Sequence, residues 1–127
     1  MGKTLYILND ELIGKICSQL ADGKSLRAIC SVEGMPSAGH VCQWLSENEA
    51  FAERYARAKE DQADMMIEEM LEIADDTHND TMLIPDGGGG MKEVENKEWV
   101  NRSRLKVDVR KFIASKLKPK KYGDKID

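Results

Sequence analysis

Six side chains in the middle of the chain carry groups that can hold a metal or move a proton: Glu68, Glu69, Glu72, Asp75, Asp76 and His78. On a helix Glu68, Glu72 and Asp75 share one face, and Asp75 stands three residues before His78. A carboxylate-bridged metal site in a helical bundle needs Glu-x-x-His from each of two helices plus further Glu. The chain has two histidines, His40 and His78, and only His78 lies near carboxylates. No metal is expected. Cys17, Cys30 and Cys42 lack Cys-x-x-Cys spacing, so zinc is not expected either. They read as small core residues, and an odd number of cysteines argues for a reducing compartment rather than a disulfide framework. Gly87 to Gly90 is not followed by the Lys-Ser/Thr of a phosphate loop, and Gly-x-Ser-x-Gly is absent. The expectation is a protein with no catalytic residues and no cofactor. Any ATP hydrolysis must come from a partner.

A second set of side chains suits recognition. Gln43 can read adenine through two hydrogen bonds, and His40 can contact a phosphate or a base edge. Ser37, Lys24 and Arg27 lie where a small DNA-reading unit meets the phosphate backbone. The elements that position them are legible. Asn9 or Asp10 caps a first helix running to about Asp22, with Leu12, Ile13, Ile16, Cys17 and Leu20 on one face. Gly23 ends it. Ser25 caps a short second helix with Leu26, Ile29 and Cys30 inward, broken by Gly34-Met35-Pro36. Ser37 caps a third helix with Val41, Trp44 and Leu45 inward, ending near Asn48. This is the helix-turn-helix pattern. In it, Cys30 permits a close crossing, Gly34 permits φ > 0 in the turn, and Met35 plugs the space beneath. The outward positions of the third helix are Ala38, Gly39, His40 and Gln43.

Residues 49–76 contain neither Gly nor Pro and form a fourth helix about 40 Å long. Ala52, Tyr55, Ala56, Ala63, Met66, Ile67, Met70, Ile73 and Ala74 recur at spacings of three and four, with Phe51, Met65 and Leu71 beside them. So wide a stripe predicts more than one partner helix. Residues 77–98 read as a β-hairpin or a disordered loop around Pro85-Asp86-Gly87-Gly88-Gly89-Gly90. A fifth helix follows from about Trp99 to Leu117, ended by Lys118-Pro119. The remaining tail is polar. The expected fold is all-α, with a helix-turn-helix bundle over 1–48 and a long antiparallel helical hairpin over 49–117. The insert 77–98 lies between the hairpin helices, and 118–127 is a basic tail.

The net charge of −4 taken alone argues against nucleic acid. Its distribution says more. Residues 49–76 carry three basic and ten acidic side chains, and residues 99–127 carry ten basic and three acidic. Opposite charges favour pairing of the fourth and fifth helices, within one chain or between neighbours. Exposed ion pairs contribute only about 0–1 kcal/mol each. Apolar burial at roughly 1.5–3 kcal/mol per large side chain therefore dominates. The residues assigned to assembly are Phe51, Tyr55, Met66, Met70, Ile73, Val109, Phe112 and Leu117. Lys118, Lys120 and Lys121, with Lys116 and Lys125, form a basic cluster that reads either as a nonspecific DNA contact or as a solubilising end.

Three stretches together resemble the small terminase subunit of tailed double-stranded DNA bacteriophages. The first is Gly34-Met35-Pro36 followed by Val41-Cys42-Gln43-Trp44-Leu45. The second is Phe51-Ala52-Glu53-Arg54-Tyr55-Ala56-Arg57-Ala58, continued through Glu68-Glu69 to Glu72-Ile73-Ala74-Asp75. The third is Arg104-Leu105-Lys106-Val107-Asp108-Val109-Arg110-Lys111, continued by Lys118-Pro119-Lys120-Lys121-Tyr122-Gly123-Asp124-Lys125. The resemblance implies a non-enzymatic packaging factor. Such a factor binds the viral packaging site in double-stranded DNA, forms a homo-oligomeric ring and recruits the large terminase subunit, which holds the ATPase and nuclease. The chain departs from the family pattern at Gln43, where a basic residue is frequent, and at His40, where Thr or Ser is frequent. A phage-encoded transcriptional regulator and a structural adaptor without DNA binding remain as alternatives. No signal peptide and no membrane span are expected, which places the protein in the bacterial host cytoplasm, from an active phage or a prophage.

Overall fold

The computed structural model describes residues 7–123. Lys125 of the basic cluster and the end of the third resembling stretch lie outside them. The chain divides into two compact units, Met1–Met65 and Met66–Asp127, and the division falls inside the longest helix.

The first unit is built by caps at the expected places. The Asn9 side chain accepts from the Leu12 amide at 2.8 Å and starts α1 (Asp10–Ala21). Gly23 follows at φ 105°. Ser25 accepts from the Ala28 amide at 3.1 Å to start α2 (Leu26–Cys30). Ser37 accepts from the His40 amide at 3.1 Å to start α3 (Ala38–Glu47). Asn48 serves two helices. Its amide donates to the Trp44 carbonyl at 2.8 Å, closing α3, and its side chain accepts from the Phe51 amide at 2.9 Å, opening α4 (Glu49–Asp75). Gly34 in the turn has φ +89°, and a Cβ there would meet nothing within 4 Å. The requirement is therefore on the backbone alone.

Ile13, Ile16, Leu20, Ile29, Met35, Val41 and Phe51 form the core of this unit, with Leu12, Trp44, Leu45 and Tyr55 packed against it. One buried polar group ties the unit together. Gln62, 1% exposed, donates from Nε2 to the Lys24 carbonyl at 2.8 Å. Its Oε1 accepts from Lys59 Nζ at 3.0 Å. Both ends of the amide are satisfied, so its burial carries no desolvation penalty left uncompensated. The link pins the loop between α1 and α2 to α4.

The second unit contains the last turns of α4, β1 (Thr81–Pro85), β2 (Met91–Glu95), α5 (Lys97–Leu117) and α6 (Pro119–Tyr122). β1 and β2 pair antiparallel, Thr81 opposite Glu95 and Pro85 opposite Met91. Asp86 shapes the turn by accepting from the amides of Gly88 and Gly90 at 2.8 and 3.1 Å. Gly87 and Gly89 take φ of +85° and +87°, which a side chain there would disfavour. The insert is thus a β-hairpin. At its base the Asn96 amide donates to the Asp80 carbonyl at 2.8 Å, while the Asn96 side chain caps α5 by accepting from the Trp99 amide. α5 and α4 run antiparallel, since Glu69 meets Arg110 at 2.6 Å while Ile73 and Ala74 share a groove with Val100 and Val107.

Several expectations need correction. The fifth helix starts two residues earlier than Trp99, because Asn96 supplies the cap. Within the basic tail, residues 119–122 form a short helix with Pro119 in its first turn, where a proline loses no hydrogen bond. Phe51 is fully buried in the core of the first unit and has no surface left for a neighbour. Val109 and Phe112, two of the residues assigned to assembly, are 46% and 63% exposed and add nothing to the pairing of α4 with α5 inside the chain. Cys42 is exposed rather than a core residue, while Cys17 and Cys30 are half-buried.

Candidate nucleic-acid interface and assembly surface

The helix-turn-helix expected from the sequence is present in the first unit, and α3 carries its candidate reading face. Gly39, Cys42, Gln43 and Glu47 are exposed along it. Gln43 donates from Nε2 to the Glu47 carboxylate at 3.1 Å, one turn further along. That leaves its carbonyl oxygen and its second amide hydrogen for a partner. The sequence reasoning overlooked Glu47, although the Gln-to-Glu spacing of four was visible. His40 is half-buried and rests on Trp44, ring centroids 4.3 Å apart. Trp44 thereby orients the imidazole near the start of the helix. Ser37 is exposed, but its hydroxyl oxygen is engaged by the His40 amide, so its first role is the cap.

Lys24 and Arg27 are exposed at the start of α2. Lys24 Nζ lies 3.4 Å from Gln19 Oε1, a weak and readily released partner. Two further cations belong to this unit. Arg54 and Arg57 line a groove between α1 and α4 with Ser18 and Asp61, and Arg54 approaches Asp10 at 3.9 Å. Even so, residues 1–65 hold seven basic and ten acidic side chains. One copy presents little electrostatic attraction to a polyanion. Burial pushes the Cys17 and Cys30 thiols above their ordinary pKa, so neither is a reactive thiolate.

Lys118, Lys120 and Lys121 belong to the second unit. Lys118 joins α5 to α6: its amide donates to the Ala114 carbonyl, and its carbonyl accepts from the amides of Lys121 and Tyr122. Lys120 is exposed, and Lys121 Nζ sits 5.2 Å from the centre of the Tyr122 ring. The structure places these lysines and the α3 residues in different units.

The second unit carries two contrasting helix faces. On α5, Val100, Ser103, Val107, Arg110, Ala114 and Leu117 recur at spacings of three and four and are buried or half-buried. The opposite side exposes Leu105, Val109 and Phe112 in a stripe at the same spacing. Arg102 and Lys106 flank it on one side, Arg104, Asp108 and Lys111 on the other, and Lys116 Nζ lies 5.4 Å from the Phe112 ring centre. On α4, Glu68, Leu71, Glu72 and Asp75 make an exposed face with Leu71 57% exposed. Glu69 and Arg110 join the two helices, but Glu68, Glu72, Asp75, Arg104, Lys106 and Lys111 have no ion-pair partner among the described residues. Met66, Met70 and Ile73 are half-buried on α4, and Tyr55 packs on the core of the first unit. Among the described residues no group of three or more His, Cys, Asp or Glu is arranged to hold a metal ion. No helix there is long and apolar enough to cross a membrane.

A family model described as bacteriophage Sf6 terminase small subunit-like matches residues 8–127. No curated protein sequence matches the chain. Crystal structures of three single-substitution variants of the terminase small subunit gp1 of the bacterial virus Sf6 resemble it. Each has a TM-score of 0.73 and 37% sequence identity, covering 95% of this chain and 81% of that one. With the family model spanning nearly the whole chain, and the fold shared at that identity, this protein belongs to the terminase small subunit-like family of bacteriophage Sf6 and has its role in phage DNA packaging.

Proposed function

We propose that the chain binds the packaging site of viral double-stranded DNA, assembles into a closed ring, and brings the large terminase subunit to that DNA in the host cytoplasm. The reading rests on one observation above all: the unpaired basic and acidic faces of α5 and α4. A surface that repeats itself by contacting its own kind needs a self-complementary patch. Two different and mutually complementary patches instead join head to tail, and head-to-tail contacts generate rings when the rotation closes. The α5 stripe of Leu105, Val109 and Phe112, rimmed by the unpaired Arg104, Lys106 and Lys111 with a single carboxylate at Asp108, complements the α4 face of Leu71, rimmed by Glu68, Glu72 and Asp75. The apolar centre supplies affinity, and the charges choose partner and register.

DNA contact is assigned to the start of α3, with Gln43 and His40 at base edges and Ser37, Lys24 and Arg27 at phosphates; Lys118, Lys120 and Lys121 add a sequence-independent contact. The reading face of α3 carries no Lys or Arg, so one copy binds weakly and many linked copies bind by avidity. The chain does no chemistry of its own, and the large subunit supplies the ATPase and nuclease. A mobility-shift assay on fragments of the viral genome tests this. One fragment should be retained well above random DNA of equal length, and Gln43→Ala should reduce that preference. Equal retention of all fragments would remove the packaging-site role.

A further inference from the structure

The hairpin presents a problem that the other described residues do not solve. A two-stranded sheet is marginal by itself in water. Among the described residues the two strands pair only with each other. Met82, Leu83 and Met91 are 45%, 65% and 58% exposed, and Leu83 and Met91 lie on the opposite face from Met82. Apolar side chains thus stand uncovered on both faces.

The ladder shows which backbone groups are unused. The Asn96 amide bonds to Asp80 and the Asp86 amide to Gly90, so the pairs Asp80–Asn96 and Asp86–Gly90 are hydrogen-bonded. Alternation along an antiparallel pair then makes Met82–Val94 and Ile84–Lys92 the other bonded pairs. The polar backbone groups of Thr81, Leu83, Pro85, Met91, Glu93 and Glu95 therefore point outward from the two edges. This explains how β1 tolerates Pro85: its missing N–H falls on an outward position. Natural edges are guarded by lysine, proline or bulges. Here Pro85 and Lys92 guard the tip and Glu93 and Glu95 charge the rest of β2, whereas the half of β1 nearest the helices, Thr81 to Leu83, carries no guard.

We propose that the hairpins of neighbouring copies pair edge to edge, β2 of one against β1 of the next, to make one continuous sheet. The inference rests on the many-copy assembly proposed above, which sets identical hairpins side by side at one height. Charge selects the partner. Residues 80–96 carry four acidic side chains and one basic, which disfavours DNA as the occupant. β1 is uncharged, whereas β2 holds Lys92, Glu93 and Glu95. Two β2 strands paired in register would set Glu93 against its own copy, and like charges directly opposite are destabilising. β2 against β1 puts an uncharged strand between every two charged ones. Within each copy the Thr81 hydroxyl already donates to the Glu93 carboxylate at 2.5 Å, holding that charge over its own hairpin.

Hydrogen–deuterium exchange resolved to single amides tests the pairing, alongside native mass spectrometry for copy number. In the assembled wild type, the outward amides of Leu83 and Glu93 should exchange at least tenfold more slowly than in an unstructured chain, as the inward amides of Ile84 and Val94 do. Leu83→Pro removes an outward donor and leaves the ladder of its own hairpin. In that variant Glu93 should return toward the unprotected rate while Val94 stays protected. Outward amides that exchange freely in an assembled protein overturn the pairing and leave the ring reading standing. So does protection of Leu83 alone, which would signal β1 against β1, or protection of Glu93 that survives Leu83→Pro. A chain that stays at 14.3 kDa overturns both readings.

Discussion

Phe51 and Phe112 are the two phenylalanines of the chain, and the fold uses them in opposite ways. Phe51 is fully buried, and its ring meets Tyr55 edge-on with centroids 6.0 Å apart. Phe51→Ala should cost about 3–5 kcal/mol of stability by chemical denaturation. Phe112 is 63% exposed, so Phe112→Ala should leave the stability of one chain within about 0.5 kcal/mol and weaken assembly instead. A large loss of monomer stability from Phe112→Ala would show that its face is not a contact between copies. The cysteines give a second residue-scale test. Burial raises the Cys17 and Cys30 thiols, while Cys42 is exposed. Mass spectrometry after brief alkylation at pH 8 should find Cys42 modified first. Lys59 gives a third. Burial holds it below its ordinary 10.5, so the unfolded chain binds more protons in the alkaline range beneath that value. Stability contributed at this site rises with pH there. The stability difference between wild type and Lys59→Met should therefore shift toward the wild type as pH climbs to about 10.

At the scale of elements, the turn and the paired helices make separate demands. Gly34→Ala meets no steric obstacle but must hold φ +89°, and should cost about 1 kcal/mol in thermal or denaturant unfolding. Arg110→Ala strands the partly buried Glu69 and should destabilise the second unit by more than Arg102→Ala, whose partner Glu98 is solvent-exposed on the same helix. Much of this level was legible beforehand. Asn9, Ser25 and Ser37 announce helix starts because their side chains satisfy amides that the helix cannot, a local requirement that sequence expresses directly. The hairpin was not settled, because Thr81 to Ile84 is a short apolar run, Met91 to Glu95 alternates weakly, and the turn geometry depends on Asp86 reaching two glycine amides. The apolar positions of α5 were legible as apolar, but not their two opposing directions. Val107 faces α4 and Val109 faces away, a distinction set by which side of a helix meets its neighbour. Phe51 belonged to a core that sequence periodicity alone attached to the long helix.

At the scale of the molecule, an average charge of −4 conceals separate surfaces. If Lys118, Lys120 and Lys121 touch phosphates, removing residues 118–127 should flatten the salt dependence of DNA binding by about one unit of log–log slope per lost contact. An unchanged slope would assign those lysines to solubility. The larger claim is that α5 of one copy meets α4 of the next, so that many weak readers act on one DNA. Native mass spectrometry at micromolar concentration tests it most directly, on the wild type and on Phe112→Glu. The wild type should appear as a closed assembly of many more than two copies, and Phe112→Glu should shift it toward the single chain. A wild type found only at 14.3 kDa, or as a dimer, would contradict the account.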